Sequence, residues 1–189
     1  MQIRSLGGVR WEELAAAFNE AFSDYAVPMA MTAESLANMQ RRRGHVAELS
    51  FGAYDGSRLV GFVLTCLEGD RAYNSGTGVV PSHRRTGVAR ELLDAVIASV
   101  PARTYQLEVL EDNAPAIAFY TSAGFVETRR LLLDLRSAKR DPRRQGRRGG
   151  GPPPWKRSCR DRGAGRHRAV VAELAGLAAA RPRAVPRAG

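Results

Sequence analysis

Cysteine is almost missing from this chain. Cys66 and Cys159 stand far apart, one in an apolar stretch and the other in a basic one. That usage excludes a disulfide framework and fits a reducing, cytoplasmic setting. Histidine is scarce as well. Three histidines and two cysteines with no close spacing make no structural zinc site, so no metal is expected. No run of eighteen apolar residues occurs, and no membrane partner is expected. Arg4 and Arg10 flank no apolar core of the kind a signal peptide carries. Acidic residues run out late in the chain. Residues 1–136 hold 14 Lys+Arg against 16 Asp+Glu, whereas residues 137–189 hold 15 against 3. The basic character therefore belongs to the last quarter and says nothing of what the main domain binds.

What is present suffices for one packed domain, with 44% hydrophobic residues in 189. The composition divides the chain into a domain over 1–136 and a basic tail over 137–189. Residues 2–6 read as a first strand. Trp11, Leu14, Ala15, Phe18 and Phe22 recur at helical spacing, which predicts a helix over 10–22. Thr32 is placed to cap a second helix over 33–43. Ala47, Leu49, Phe51 and Ala53 alternate with Glu48, Ser50 and Gly52 and predict a half-buried strand. Asp55-Gly56 is a hairpin turn, and residues 59–67 form a near-continuous apolar strand, covered on both faces. Residues 72–80 are a further strand holding Gly76 and Gly78, glycines that mark a bulge or a close backbone approach. A helix from Gly87 to Val100, a strand over 104–110, a helix capped by Asn113 and a strand over 125–135 complete the domain.

The chain turns from strand to helix at Val-Val-Pro-Ser-His-Arg-Arg-Thr-Gly-Val-Ala, residues 79–89. Pro81 stops the strand. The first N–H groups of the helix lack partners inside it, and the helix dipole favours negative charge there. Two arginines at the same point complete a recipe for a phosphate cradle. After the strand holding Leu107-Glu108-Val109 comes a second pattern, Asn113-x-x-Ala116-x-x-x-Tyr120-x-x-x-Gly124-Phe125.

Taken together, Arg84-x-x-Gly87-x-Ala89 and the Asn113–Phe125 segment resemble the two signatures of the Gcn5-related N-acetyltransferase (GNAT) superfamily. The resemblance covers about residues 1–135. It implies an α/β fold with a mixed, mostly antiparallel central sheet, helices on both faces and a V-shaped splay between two central strands. It implies acetyl-CoA as cosubstrate, with pantetheine in the splay. By carry-over, Val79 and Val80 offer backbone groups to pantetheine, with an amide near Val80 facing the thioester oxygen. Arg84, Arg85, Thr86, Gly87, Val88 and Ala89 donate N–H groups to the pyrophosphate. Asn113 and Ala116 lie beside the pantetheine arm, and Tyr120 lies near the thioester sulfur.

Direct attack of an amine on a thioester needs a deprotonated amine, a stabilised oxyanion and a proton for the leaving thiolate. One backbone donor at an oxyanion is worth roughly 3 kcal/mol. Tyr120 suits the third role: a phenol, with a reference pKa of about 10, stays protonated at neutral pH. Glu68, Glu108 and Glu111, or a water held by backbone, stand as alternatives for the base. Asp24, Tyr25, Tyr73 and Asn74 are expected on the acceptor side. The acceptor amine itself is not named by the sequence.

The tail is Arg-, Gly-, Pro- and Ala-rich. Residues 137–168 are expected to be disordered, and Val170, Val171, Leu174 and Leu177 predict a short helix over 169–180. Its charge offers a competing reading, binding of nucleic acid or an acidic surface beside an acetyl-CoA-sensing, non-catalytic module. The same composition also arises when a GC-rich gene is read out of frame. The last strand shows no clear hairpin, so the sheet edge is left open, covered by the tail, or completed by a second copy in a homodimer.

Overall fold

The computed structural model describes residues 1–25, 29–134 and 166–177. The strands are β1 (Gln2–Ser5), β2 (Phe51–Asp55), β3 (Arg58–Glu68), β4 (Arg71–Val79), β5 (Thr104–Leu110), β6 (Val126–Asp134) and β7 (Arg166–Ala175). The helices are α1 (Trp11–Ala21), α2 (Ala33–Arg42), α3 (Val88–Ser99) and α4 (Ala114–Ser122). The seven strands follow the order β1-β2-β3-β4-β5-β7-β6, with β1 to β4 antiparallel and β4 parallel to β5. The expected α/β class and mostly antiparallel sheet are met. No helix of the described residues is long and apolar enough to cross a membrane.

The chain forms two compact units. One comprises Met1–Leu107 with the chain from Glu173; the other is Glu108–Ala172. In the first unit β3 is buried over almost its whole length. One face of its sheet meets Leu14, Ala17, Phe18 and Ala21 of α1 and Leu36 of α2, packed on Phe62 and Leu64. The other face meets α3, and Gly61 explains the fit. A Cβ there would come within 3.2 Å of Leu92 and Val88 side-chain atoms. Each fully buried Leu or Phe in these layers contributes about 1.5–3 kcal/mol.

Local chemistry sets the element ends. The Thr32 side chain accepts from the Ser35 N–H and starts α2 as expected. Gly56 at φ 59° makes the two-residue turn between β2 and β3. The alternation that predicted a strand from Ala47 fails at its first turn. Residues Ala47–Leu49 form a 3₁₀ turn, and β2 starts only at Phe51. Ser50 is the cause: its hydroxyl donates to the Val46 carbonyl and accepts from the Thr65 N–H, replacing a backbone pairing.

The bulge announced by the glycines of β4 falls beside them. Leu64 pairs with Gly76 and Thr65 with Asn74, so Ser75 is the extra residue. The Asn74 side-chain oxygen accepts from the Gly76 N–H at 3.0 Å, and its side-chain NH₂ donates to the Thr77 hydroxyl at 2.7 Å. From α2, Gln40 accepts from the Ser75 hydroxyl at 2.6 Å, and Arg43 donates to the Ser75 carbonyl at 3.1 Å. Pairing of β4 with β5 covers only Arg71–Tyr73 opposite Thr104–Gln106 and ends where the bulge begins.

In the second unit α4 ends at Ala123, and Gly124 at φ 90° reverses the chain into β6. The Phe125 N–H donates back to the Tyr120 carbonyl. Strand β7 is the largest correction to the sequence reading. The expected helix over 169–180 is instead a strand over Arg166–Ala175. Ala169, Val170, Val171 and Ala172 are all buried, and the Thr128 hydroxyl of β6 donates to the Val171 carbonyl. The expected disorder over 137–168 lies outside the described residues up to 165 and fails at 166–168. Residues assigned to the tail thus supply a strand that lies between β5 and β6, and β6 stands at the edge. Ending the chain after Arg136 removes β7 and is expected to lower the melting temperature by 10 °C or more, or to prevent folding, as read by circular dichroism. An unchanged melt would mean that β7 adds nothing to the fold.

Candidate functional site

The end of β4 is held at a close approach. A Cβ on Gly78 would sit 2.7 Å from the Phe62 ring and 2.8 Å from the Ala21 methyl, so only glycine lets β4 lie against the last turn of α1. The Val80 N–H donates to the Val60 carbonyl at 2.9 Å. The amide expected near Val80 is therefore not that of Val80 itself. Antiparallel pairing alternates the direction of the backbone groups, so the groups of Val79 point to the other edge of β4. There the Val79 carbonyl accepts from Arg84 Nε at 3.1 Å.

Pro81–His83 form one 3₁₀ turn, Arg84 is extended, and Arg85 takes the left-handed conformation at φ 61°. Gly87 at φ 92° caps α3. A left-handed arginine costs about 1–2 kcal/mol and persists only where its surroundings hold it. Thr86 supplies part of that hold, donating its hydroxyl to the His83 carbonyl at 2.7 Å. His83 is tied in turn, with Nε2 at 3.3 Å from Asp55 and Nδ1 at 2.9 Å from the Ser82 hydroxyl.

The Arg84 N–H reaches the Pro81 carbonyl at 3.4 Å. Among the described residues, the N–H groups of Arg85, Thr86, Gly87, Val88 and Ala89 donate to no protein acceptor. They lie at the N-terminus of a twelve-residue helix. A Cβ on Gly87 would meet nothing within 4 Å, so the space above this turn is open. Five unpaired donors, a helix dipole and the exposed Arg85 suit a diphosphate.

The Arg84 side chain does not join that set. Its guanidinium grips Asp24 through two bonds of 2.6 and 2.8 Å and donates to the Ala21 carbonyl at 2.8 Å. The hydrogen bond from Arg84 holds the Asp24 carboxyl below the usual carboxylate range, and Asp24 raises Arg84 in return. Asp24, expected on the acceptor side, is here bonded to Arg84 of the loop. Tyr25 follows it, with its ring edge-on to Phe22 at 5.3 Å.

Three other expected residues lie along β3 and β4. Tyr73 pairs with Gln106 as the last pair before β4 and β5 part. Asn74 is buried and clasps the bulge. Glu68 is exposed in the opposite turn, paired with Arg71. At about 3.3 Å per residue, the eight steps from Arg71 to Val79 put Glu68 roughly 26 Å from the loop.

In the second unit the Asn113 side chain accepts from the Ala116 N–H and caps α4, as expected. Asn113 and Tyr120 are seven residues apart, two turns, and share one helix face. Tyr120 is 9% exposed, with its ring edge-on to Phe119 at 5.0 Å and to Phe125 at 5.5 Å. Glu108 is half-buried on β5, on the face opposite Tyr105, Leu107 and Val109. Glu111 pairs with Arg130 at 2.9 Å. The sequence reading missed the Asp24–Arg84 pair and β7. For β7 the signal was present: adjacent Val170 and Val171 in a short apolar run favour a strand over a helix.

The family model described as Acetyltransferase (GNAT) family matches residues 11–125. The [ribosomal protein bS18]-alanine N-acetyltransferase of Escherichia coli K12 is 35% identical over 82 residues, 42% of this chain and 55% of that one. The chain thus spans about half the length of the curated relatives it matches. The crystal structure of the ribosomal-protein-S18-alanine N-acetyltransferase from Escherichia coli superposes with a TM-score of 0.64 at 22% identity, over 97% of this chain and 98% of that one. The structure of yncA, a putative acetyltransferase from Salmonella typhimurium with its cofactor acetyl-CoA, gives 0.62 at 15% identity, over 100% and 99%. At these identities the structures show a shared fold.

Gly87→Val is expected to keep the fold but raise the Kd for coenzyme A about tenfold or more, by calorimetry. An unchanged Kd would take the diphosphate site off this loop. Acid gives a second check. The folded pKa of Asp24 is lowered, so its pairing contributes above the ordinary carboxylate range and is lost as pH falls through the folded value. An NMR titration of the Asp24 carboxyl should have its midpoint below 3.8 and move up in Arg84→Gln. A midpoint unmoved by that substitution would mean the pair does not form in solution.

Proposed function

This chain belongs to the GNAT acetyltransferase family, and from that premise we propose that it transfers an acetyl group from acetyl-CoA to a primary amine by direct attack. The observation that carries the reading is the set of unpaired N–H groups from Arg85 to Ala89 at the start of α3. These donors fit the pyrophosphate of a CoA thioester, and Arg85 adds charge beside them. The acceptor class comes from the relatives. Their name specifies N-acetylation of an alanine of ribosomal protein bS18; the amine an alanine can offer is its α-amine, so a peptide N-terminus is the first acceptor to test.

The roles of the residues follow from their chemistry. The Val79 N–H, turned to the free edge of β4, replaces Val80 as the backbone donor for the thioester oxygen. Asn113 and Ala116 line the pantetheine arm, and Tyr120 protonates the leaving thiolate. A phenol donates to a thiolate without itself ionising at neutral pH beforehand. Glu108 and Glu111 remain alternatives for the base that takes the amine proton. Glu68 and a water held by backbone stand beside them, and Glu111 is paired with Arg130.

The test is transfer from acetyl-CoA to a short peptide beginning with alanine, followed by release of free thiol. Tyr120→Phe is expected to lower kcat by about 10²–10⁴-fold with the Kd for acetyl-CoA unchanged. Unaltered turnover would remove Tyr120 from the acid role. Saturable binding without turnover on any amine would favour the sensing module over the enzyme.

A further inference from the structure

Arg84 opens the loop motif, yet its guanidinium faces away from the open turn above Gly87 and makes four hydrogen bonds to protein. It donates to both carboxylate oxygens of Asp24, to the Ala21 carbonyl and to the Val79 carbonyl. Ala21 is the last residue of α1, and its carbonyl has no acceptor role left inside the helix. A cation at that end is favoured by the helix dipole. The four acceptors thus come from the end of α1, the segment after it and the end of β4. These pieces are distant in sequence and are brought together only by the fold.

The consequence falls on the next residue. Arg85 sits at φ 61°, which an arginine does not adopt unaided. On its far side Thr86 is pinned to the His83 carbonyl. On its near side stands Arg84, extended at φ −70° and ψ 154° and held through its guanidinium. Released, Arg84 and Arg85 would relax towards ordinary conformations, and the N–H groups that follow would turn out of line.

We infer that Asp24 is a positioning residue for the diphosphate loop, acting through the Arg84 guanidinium to hold the Arg85–Ala89 N–H groups aimed at the ligand. It touches neither ligand nor acceptor. Its carboxylate geometry matters, because a bidentate arginine pair fixes orientation as well as charge. The inference rests on the loop being the CoA site, as proposed above.

The experiment uses the full chain and acetyl-CoA itself. Asp24→Asn keeps the shape but loses the charge and turns one of the two accepting oxygens into a donor NH₂. It is expected to raise the Kd for acetyl-CoA about tenfold, with KM rising in parallel and kcat at saturation falling much less. Asp24→Glu should recover part of the loss. Arg84→Gln should weaken binding similarly, and the double variant should be no worse than Arg84→Gln alone, because one residue acts through the other. The pair is exposed, so each variant is expected to keep the wild-type circular dichroism spectrum. A fall in kcat with an unchanged Kd would overturn the inference and return Asp24 to the acceptor side. Additive losses in the double variant would also overturn it. If the wild-type protein fails to saturate with acetyl-CoA, the site and this inference fall together. If it saturates and Asp24→Asn matches it, only this inference falls.

Discussion

One constraint governs the first unit: β4 cannot be a regular strand along its whole length. It pairs with β3 throughout but with β5 only over Arg71–Tyr73. The extra residue Ser75 marks the change. A bulge leaves backbone groups unmatched, and here they are met by side chains. Asn74 holds the Gly76 N–H, while Gln40 of α2 and Arg43 just after it hold the hydroxyl and carbonyl of Ser75. Helix α2 thereby fixes a kink in the strand beneath it. A free strand edge inside a protein is a liability unless something uses it; on β4 it leads straight into the turn that opens α3.

The loop itself illustrates how binding groups are kept ready. Its donors are backbone N–H groups, which carry no rotamer entropy and lose none on binding. The side chains around them serve mostly to hold the backbone still. Arg84, Thr86 and His83 all bond to protein atoms. Small residues complete the arrangement: Gly78 lets α1 approach, and Gly87 permits a turn that other residues resist. The strain of a left-handed Arg85 is stored beside these unpaired N–H groups.

Most of the elements were legible because the periodicity was clean. The apolar spacing of α1 and α3, the cap at Thr32 and the turn at Gly56 each rest on interactions local in sequence. The strand expected from Ala47 was misread because Ser50 bonds to Val46 and Thr65, and the partner fifteen residues away leaves no trace in the alternation. Strand β7 was misread for a related reason. Val170, Val171, Leu174 and Leu177 satisfy a helical spacing, but the run is short and its neighbours in the sheet are β5 and β6. Composition drew a boundary at residue 136 that the sheet does not respect.

The sequence by itself determined which backbone can do the chemistry. A proline, two arginines and a glycine between a strand and a helix dictate a turn rich in unpaired N–H groups, because those requirements are local. The Asn113 cap and the Gly124 reversal are local in the same way. Only the tertiary structure decided which of the matching side chains face a ligand. Arg84 and Asp24 are sixty residues apart, and nothing in the pattern of either stretch tells that one neutralises the other. Likewise Val80 and Val79 look alike in sequence, and it is the pairing with β3 that uses the N–H of one and turns that of the other to the open edge. Direction and partnership are properties of packing, which the order of residues constrains but does not spell out.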